Sequence, residues 1–385
     1  MILVISNRNI NNDFDNENYF GNQLIEGSAS TGMAIAEYSL VEDLDDFDED
    51  GDIIFDSNAA KYAWKLKPVA SNDNALFGVM LEQISSGTLK KNWVFFVHGN
   101  NQTTFKNLEK CREIEQLHDV NVIAFSWPSW RGRLFSIELF KMVAPDILKQ
   151  GKIGPGILTS IISKGIELKQ QHYGEAVEIA KESRVALHNT LKHIISQFIL
   201  PVRESIGEEF SINLLVHSLG NRVLQKMIED ENLDDITQVF DNVILHQADV
   251  NTKGHDKWVR NINMGERVYI THNRKDVVLH ISDIFGSNPK RLGHKSGGNR
   301  CSKKEVTAYI DFTKGYKVGL NHGLFLMRDI FSGKVNDCFN DLLAGESLFT
   351  GDNLPVGFVK ENNNTYTMKK ERFIEEEEDY WYLNS

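Results

Sequence analysis

The sequence predicts an α/β fold, a mostly parallel central sheet with helices on both faces. Three segments carry the prediction. Residues 212–223 read Ile-Asn-Leu-Leu-Val-His-Ser-Leu-Gly-Asn-Arg-Val. The apolar run from Leu214 to Val216 fits a buried strand, and Val223, Leu224 and Met227 are spaced for the buried face of a helix over residues 221–228. Residues 93–99, Trp-Val-Phe-Phe-Val-His-Gly, read as a second buried strand ending in a turn. Residues 121–130, Asn-Val-Ile-Ala-Phe-Ser-Trp-Pro-Ser-Trp, read as a third, closed by a proline turn.

The first segment also carries chemistry. A strand, a tight serine turn and a helix describe a nucleophile elbow, in which the hydroxyl of Ser218 is exposed on a strained corner and the next amide points into the same space. The G-x-S-x-G pattern is partly met, with Val216 in place of the first glycine and Gly220 at the second. The alternative is an ordinary strand-to-helix turn with a capping serine. In α/β-hydrolases the loop after the earlier strand supplies the other half of an oxyanion hole. Gly99 lets the following amide turn toward a reacting carbonyl, which assigns the hole to the backbone amides of Asn100 and Leu219. Losing one such donor typically costs about 3–4 kcal/mol of barrier.

The phrases FFVHGNN, VIAFSWPSW, LLVHSLGNRVL and LHQADV resemble a family of largely uncharacterised bacterial α/β-hydrolases. Its members show a strand plus HG[FY]N, then SWPS, then VHSMGNR, then APD after the next strand. The resemblance spans residues 90–325 with similar order and spacing. SWPS and HSxGNR together are specific; HG alone is not. The segment Leu3-Val4-Ile5-Ser6-Asn7-Arg8 resembles the family's opening strand ending in T/S-N-R. Two residues depart from the pattern: Asn100, where an aromatic is common, and Gln247, where a proline is common. Neither is expected to touch the chemistry directly.

The other triad members should follow the serine in the order acid, then base. A strand over 267–271 runs into His272-Asn273-Arg274-Lys275-Asp276, where the family pattern also has an Asp before a small apolar pair, so Asp276 is the expected acid. The following strand, 305–312, leads to Asn321-His322-Gly323, and a helix is expected from Leu324. His322 is therefore the expected general base. Asp249, at the end of the preceding strand, is the alternative acid. His280 and His294 compete with His322. The first falls close to the acid's own strand, and the second lies in a basic, Gly-rich stretch that reads as a loop. His98 and His217 are expected to shape the site.

Composition agrees. The chain has 385 residues, 41% of them hydrophobic, which is ample for a core. No apolar run reaches membrane-spanning length, and no secretory signal is visible, so a cytoplasmic location is expected. Cys111, Cys301 and Cys338 are few and unpatterned, as in a reducing compartment. A net charge of −12 speaks against nucleic-acid binding, which relies on Lys and Arg to neutralise phosphates. The basic cluster over 289–304 reads as a solvated loop, with a site for an anionic substrate group as the alternative. Asp46, Asp48 and Asp50 before Gly51 match the first half of a calcium loop, but Ser57 stands where the bidentate Glu belongs, so an acidic hairpin is preferred.

The expected organisation is an N-terminal strand with an acidic extension over 1–90, a hydrolase core over 91–344, and a polar extension with an acidic tail over 345–385. A helical, lid-like insertion over 131–184 would either roof the serine with apolar side chains or add to the core or an oligomer face. The reading is therefore a serine hydrolase of the α/β-hydrolase fold that cleaves an ester-type bond, acyl or lipid, through an acyl-enzyme. It needs no metal or organic cofactor. Its partner is a small-molecule or lipid ester, with no nucleic acid and no transmembrane segment but with room for transient membrane contact; the sequence leaves any protein partner open. Two alternatives stand beside it: a catalytically silent binding or scaffold protein, and an acyltransferase to an acceptor other than water.

Overall fold

The computed structural model describes residues 1–27, 29–40, 62–69, 74–129, 166–234, 236, 238–285, 290–295, 306–327, 329–349, 353–362 and 364–370. The calcium-loop-like aspartates, Cys301, most of the basic cluster, the acidic tail and the apolar stretches at 134–143 and 157–162 lie outside them.

The strands are β1 (Ile2–Ser6), β2 (Arg8–Ile10), β3 (Phe20–Leu24), β4 (Gly32–Leu40), β5 (Tyr62–Val69), β6 (Asn92–Val97), β7 (Asn121–Ser126), β8 (Ser211–His217), β9 (Phe240–His246), β10 (Gly265–His272), β11 (Thr307–Asp311), β12 (Phe358–Asn362) and β13 (Thr365–Met368). The helices are α1 (Asn74–Ser85), α2 (Thr104–His118), α3 (Ile166–Glu182), α4 (Arg184–Ile194), α5 (Leu200–Ile206), α6 (Gly220–Asp230), α7 (His255–Val259), α8 (Val277–Phe285) and α9 (Asp329–Leu343).

Among the described residues eleven strands form one sheet in the order β12-β13-β11-β10-β9-β8-β6-β7-β1-β4-β5, and β2 and β3 form a separate pair. Neighbours from β13 through to β1 are parallel; β12 and β4 pair antiparallel at the two ends of that run. The chain steps outward from β6 to β7, then returns across β6 to β8 and continues the other way. Such a reversal opens a crevice at the carboxyl ends of the strands on either side of it. In register, Val97 pairs with Val216, so the residues after β6 and β8 emerge side by side.

The central strands read as unbroken apolar runs because both faces of the sheet are covered. Alternation then sorts side chains between two cores. Trp93, Phe95, Val97, Leu214 and Val216 pack with Phe77, Leu187, Phe198 and Val223 from α1, α4, α6 and the π-helical turn Ile195–Ile199. Val94, Phe96 and Leu215 pack on the opposite face with Leu108, Val335 and Phe339 from α2 and α9. Two buried asparagines interrupt the apolar pattern with a purpose: Asn213 and Asn242 donate to the carbonyls of Leu343 and Leu342, tying β8 and β9 to the end of α9.

Three expectations are adjusted. The sheet extends past residues 91–344 on both sides, through β1, β4 and β5 and through the β12–β13 hairpin, which joins it by β11. The described part of the insertion is α3, whose Tyr173, Ala176 and Ala180 are buried in the core. At Leu324 only a 3-10 turn forms, over Leu324–Leu326, and the helix begins at Asp329.

Candidate active site

Ser218 follows β8 directly and has φ 53°, in the left-handed region. A non-glycine residue held there stores about 1–3 kcal/mol of strain, which the surroundings must over-determine. Here they do. The Ser218 amide donates to the His246 carbonyl at 3.0 Å, and the Ser218 carbonyl accepts from the amides of Asn221 and Asp249. The elbow is pressed against the end of β6. A Cβ on Gly220 would lie 2.5 Å from the His98 carbonyl oxygen, and one on Gly99 would lie 2.7 Å from the Ser218 Cβ. Both positions therefore require glycine, whereas Val216, at the pattern's first glycine, fits into the core. This close packing leaves Ser218 only 3% exposed rather than open to solvent.

His322 Nε2 lies 2.7 Å from Ser218 Oγ, and His322 Nδ1 lies 2.6 Å from Asp276 Oδ2. The pattern assigns the Nδ1–H tautomer, with Nε2 accepting from the serine hydroxyl. Asp276 is fully buried. Its Oδ1 accepts from the amides of Val278 and Leu279, so the same carboxylate caps α8. The positive end of that helix favours its charge.

The acid and base loops are laced together. Asn273 Nδ2 donates to the carbonyls of Gly319 and Asn321. His217 Nε2 donates to the His322 carbonyl at 2.6 Å. Gln247 corrects an expectation. Its carboxamide donates to Asp276 Oδ2 at 2.6 Å and to the Asn321 carbonyl at 2.8 Å, in direct contact with the proposed acid. Gln247 has φ 40°, a backbone that proline, fixed near −65°, does not adopt.

The loop after β6 is equally braced. His98 Nδ1–H donates to the Gly99 carbonyl, and Nε2 accepts from the Trp127 amide. The Trp127 indole stacks on His98 and donates to its carbonyl. Ser129 Oγ and its carbonyl accept the amides of Gln102 and Asn101. The SWPS segment thus holds the loop bearing the Asn100 amide. From the N-terminus, the buried Arg8 guanidinium reaches Ser126 Oγ and the Gln102 carbonyl, so the S-N-R segment braces the same loop. Sequence reading gave neither role; the SWPS contacts span 27–29 residues and those of Arg8 span 94 and 118.

Three histidines besides His322 surround the site. Burial pushes His98, His217 and His246 well below the usual histidine range, with Arg8 adding for the first and His322 for the other two. They are neutral shaping groups, as expected for His98 and His217. His246 is an addition: it bonds Thr271 Oγ1 through Nδ1 and accepts the Leu324 amide at Nε2.

The alternative residues are placed elsewhere. Asp249 is engaged by Arg291 Nε at 3.1 Å, Ser282 Oγ at 2.5 Å and the Tyr173 hydroxyl at 3.0 Å. His280 and His294 contact each other and Asp283 rather than Ser218. Burial, with His294 beside it, pushes His280 down to about 4.

A largely parallel sheet flanked by helices, with an elbow at the carboxyl end of a central strand, defines an α/β hydrolase. Residues 79–332 match the family described as alpha/beta hydrolase of unknown function (DUF900), and the chain belongs to it. No curated protein and no solved structure matches the chain. Among the described residues no helix is long and apolar enough to cross a membrane.

Proposed function

We propose that the protein is a serine hydrolase that cleaves an ester-type bond, acyl or lipid, through a covalent acyl-enzyme. The observation that carries this reading is the unbroken chain from Ser218 Oγ through the His322 ring to Asp276 Oδ2, with links of 2.7 and 2.6 Å. In the first step Ser218 Oγ bonds to the ester carbonyl carbon while its proton passes to His322 Nε2. The carbonyl oxygen takes the negative charge and faces the amides of Leu219 and Asn100. Asp276 holds the Nδ1–H and stabilises the imidazolium. Collapse breaks the ester C–O bond, and the leaving alcohol takes the proton from His322. Water then gives a proton to His322 and attacks the acyl-serine, releasing the acid and restoring Ser218. The preference for an apolar acyl group rests on the sequence of 134–143 and 157–162.

The test is labelling of the purified full chain with a fluorophosphonate, which bonds to an activated serine and loses fluoride. Labelling of wild type that disappears in Ser218→Ala and His322→Ala is the expected result, and a panel of acyl esters of increasing chain length follows. Folded wild type that does not label, or labelling that persists in Ser218→Ala, contradicts the proposal.

A further inference from the structure

A second cluster of chemical groups lies beside the acid loop. His280 and Asp283 share one face of α8, three residues apart. His294 comes from the segment after that helix. All three are buried, at 8%, 4% and 6% exposure. One donor atom from each lies within 4.8 Å of the other two. His294 Nδ1 is 3.0 Å from Asp283 Oδ2, and the two imidazole rings are 3.9 Å apart. His294 Nε2 and His280 Nε2 both point at one acceptor, the Arg274 carbonyl, at 2.8 and 3.2 Å. Asp283 Oδ1 is held by the Arg291 amide at 2.8 Å, which orients the carboxylate.

Two imidazoles in contact and a buried carboxylate make a costly polar cluster for a fold to retain for packing alone. They are also a donor set suited to zinc, which takes imidazole nitrogen and carboxylate oxygen at about 2.0–2.2 Å. Bringing donors now within 4.8 Å into such a shell needs movements of about 1 Å. Lys290, whose ammonium is 3.6 Å from the carboxylate, is 62% exposed and can swing into solvent as an ion enters. The Arg291 amide would serve as the outer support that orients a ligating carboxylate.

We propose that His280, Asp283 and His294 bind one divalent transition-metal ion, best matched by Zn2+, which clips the 290–295 segment to α8, the helix that Asp276 caps. A water completes the shell, and the Arg274 carbonyl, on the far side of the His294 ring from Asp283, accepts the Nε2–H. The clip has a mechanical reason. Arg274 is two residues before Asp276, and His280 sits on the first turns of the helix that Asp276 caps. Gly293 accepts the Asn273 amide at 2.9 Å and lies so close to Gln247 that a Cβ there would be 2.1 Å from its carbonyl carbon. Residues on both sides of the proposed acid are thereby tied to one point. The ion is structural and takes no part in the acyl chemistry, so its test does not depend on hydrolysis. A site of this kind adds to the sequence expectation, which placed no metal here.

Full-length protein is stripped with a chelator, dialysed against Zn2+ alone, and its bound metal is counted per chain. One Zn2+ per chain is expected, with a higher melting temperature. Affinity should fall as pH drops, because imidazole ligands must be deprotonated. His280→Gln and Asp283→Asn should each weaken binding at least about tenfold, while Ser218→Ala binds as wild type does. Replacement of Zn2+ by Co2+ in wild type provides a readout independent of the variants: an intense visible absorption band marks a low-coordinate site with imidazole ligands. Folded wild type that retains no Zn2+, Co2+ protein with only the weak band of a hydrated ion, or binding unchanged in folded His280→Gln and Asp283→Asn overturns the proposal.

Discussion

Asp249 and Asp276 follow neighbouring parallel strands and are 2% and 0% exposed, yet the fold gives them opposite company. Asp249 faces a guanidinium, with Arg291 Nε at 3.1 Å and two hydroxyls filling the remaining acceptor sites. Asp276 is held by two helix amides and the carboxamide of Gln247, and its ion-pair partner among the described residues is His322. A carboxylate already neutralised by arginine has little attraction left for a proton arriving on an imidazole. One held by neutral donors keeps its charge for that moment. Location at a strand end therefore does not tell the two aspartates apart; the proposed acid is the one that meets the His322 imidazole rather than a permanent cation.

The sharpest way to break this comparison is Asp276→Asn. It should preserve the fold but lower the labelling rate and any ester turnover by about 10⁴, the scale of losing the group that fixes a triad tautomer. A loss under tenfold would assign the acid elsewhere. Asp249→Asn should do the reverse. Labelling stays close to wild type, while urea unfolding shows a loss of about 3–5 kcal/mol because Arg291 is left buried without its counter-charge. The double change Asp249→Asn with Arg291→Met should recover part of that stability.

Gln247→Leu sharpens the comparison at smaller scale. It removes one donor to the charged Asp276, worth about 1.5–3 kcal/mol. The reaction rate should fall at least about tenfold, with Asp276→Asn masking the effect in the double variant. A Gln247→Glu change that matched wild type would contradict this account, because a second carboxylate would repel Asp276.

The pH dependence gives the smallest step per group. The folded pKa values of His98, His217 and His246 lie well below the ordinary 6.5, chiefly through burial. The unfolded chain therefore takes up protons below pH 6.5 that the folded chain refuses. Stability contributed by these neutral rings is complete above that pH and is lost as pH falls toward their folded values. The slope is roughly 1.4 kcal/mol per pH unit for each ring. Urea midpoints between pH 5 and 8 check it; a midpoint that rises on acidification would contradict the assignment of three neutral histidines.

Much of the site was legible in the sequence because its strongest signals are local. Ser218 and Gly220 belong to one turn, and the apolar runs at 93–97 and 214–216 announce the strands that carry the two halves of the crevice. Chain order then pointed to Asp276 and His322, which the fold brings into hydrogen-bond contact with each other, with His322 also reaching Ser218. Other features left no local trace. Gln247 looked like a neutral departure from the resembled family until its carboxamide was seen on Asp276. Leu324 looked like a helix start, but its amide is spent on His246, and the chain makes a 3-10 turn before continuing.

By itself the sequence determined the strand-turn-helix corner at Ser218, the glycines that allow it, and the two-sided core of the central strands. These depend on residues close together in the chain and on the period of two that any covered strand obeys. Only the tertiary structure decided which aspartate receives a histidine and which an arginine, how Arg8 and Ser129 brace the loop after β6, and that His280, Asp283 and His294 meet. Those pairings join separate loops and cross from 11 to 118 residues. They arise when parallel crossovers bring separate loops to one edge of the sheet, where a side chain's role is set by the partners it meets.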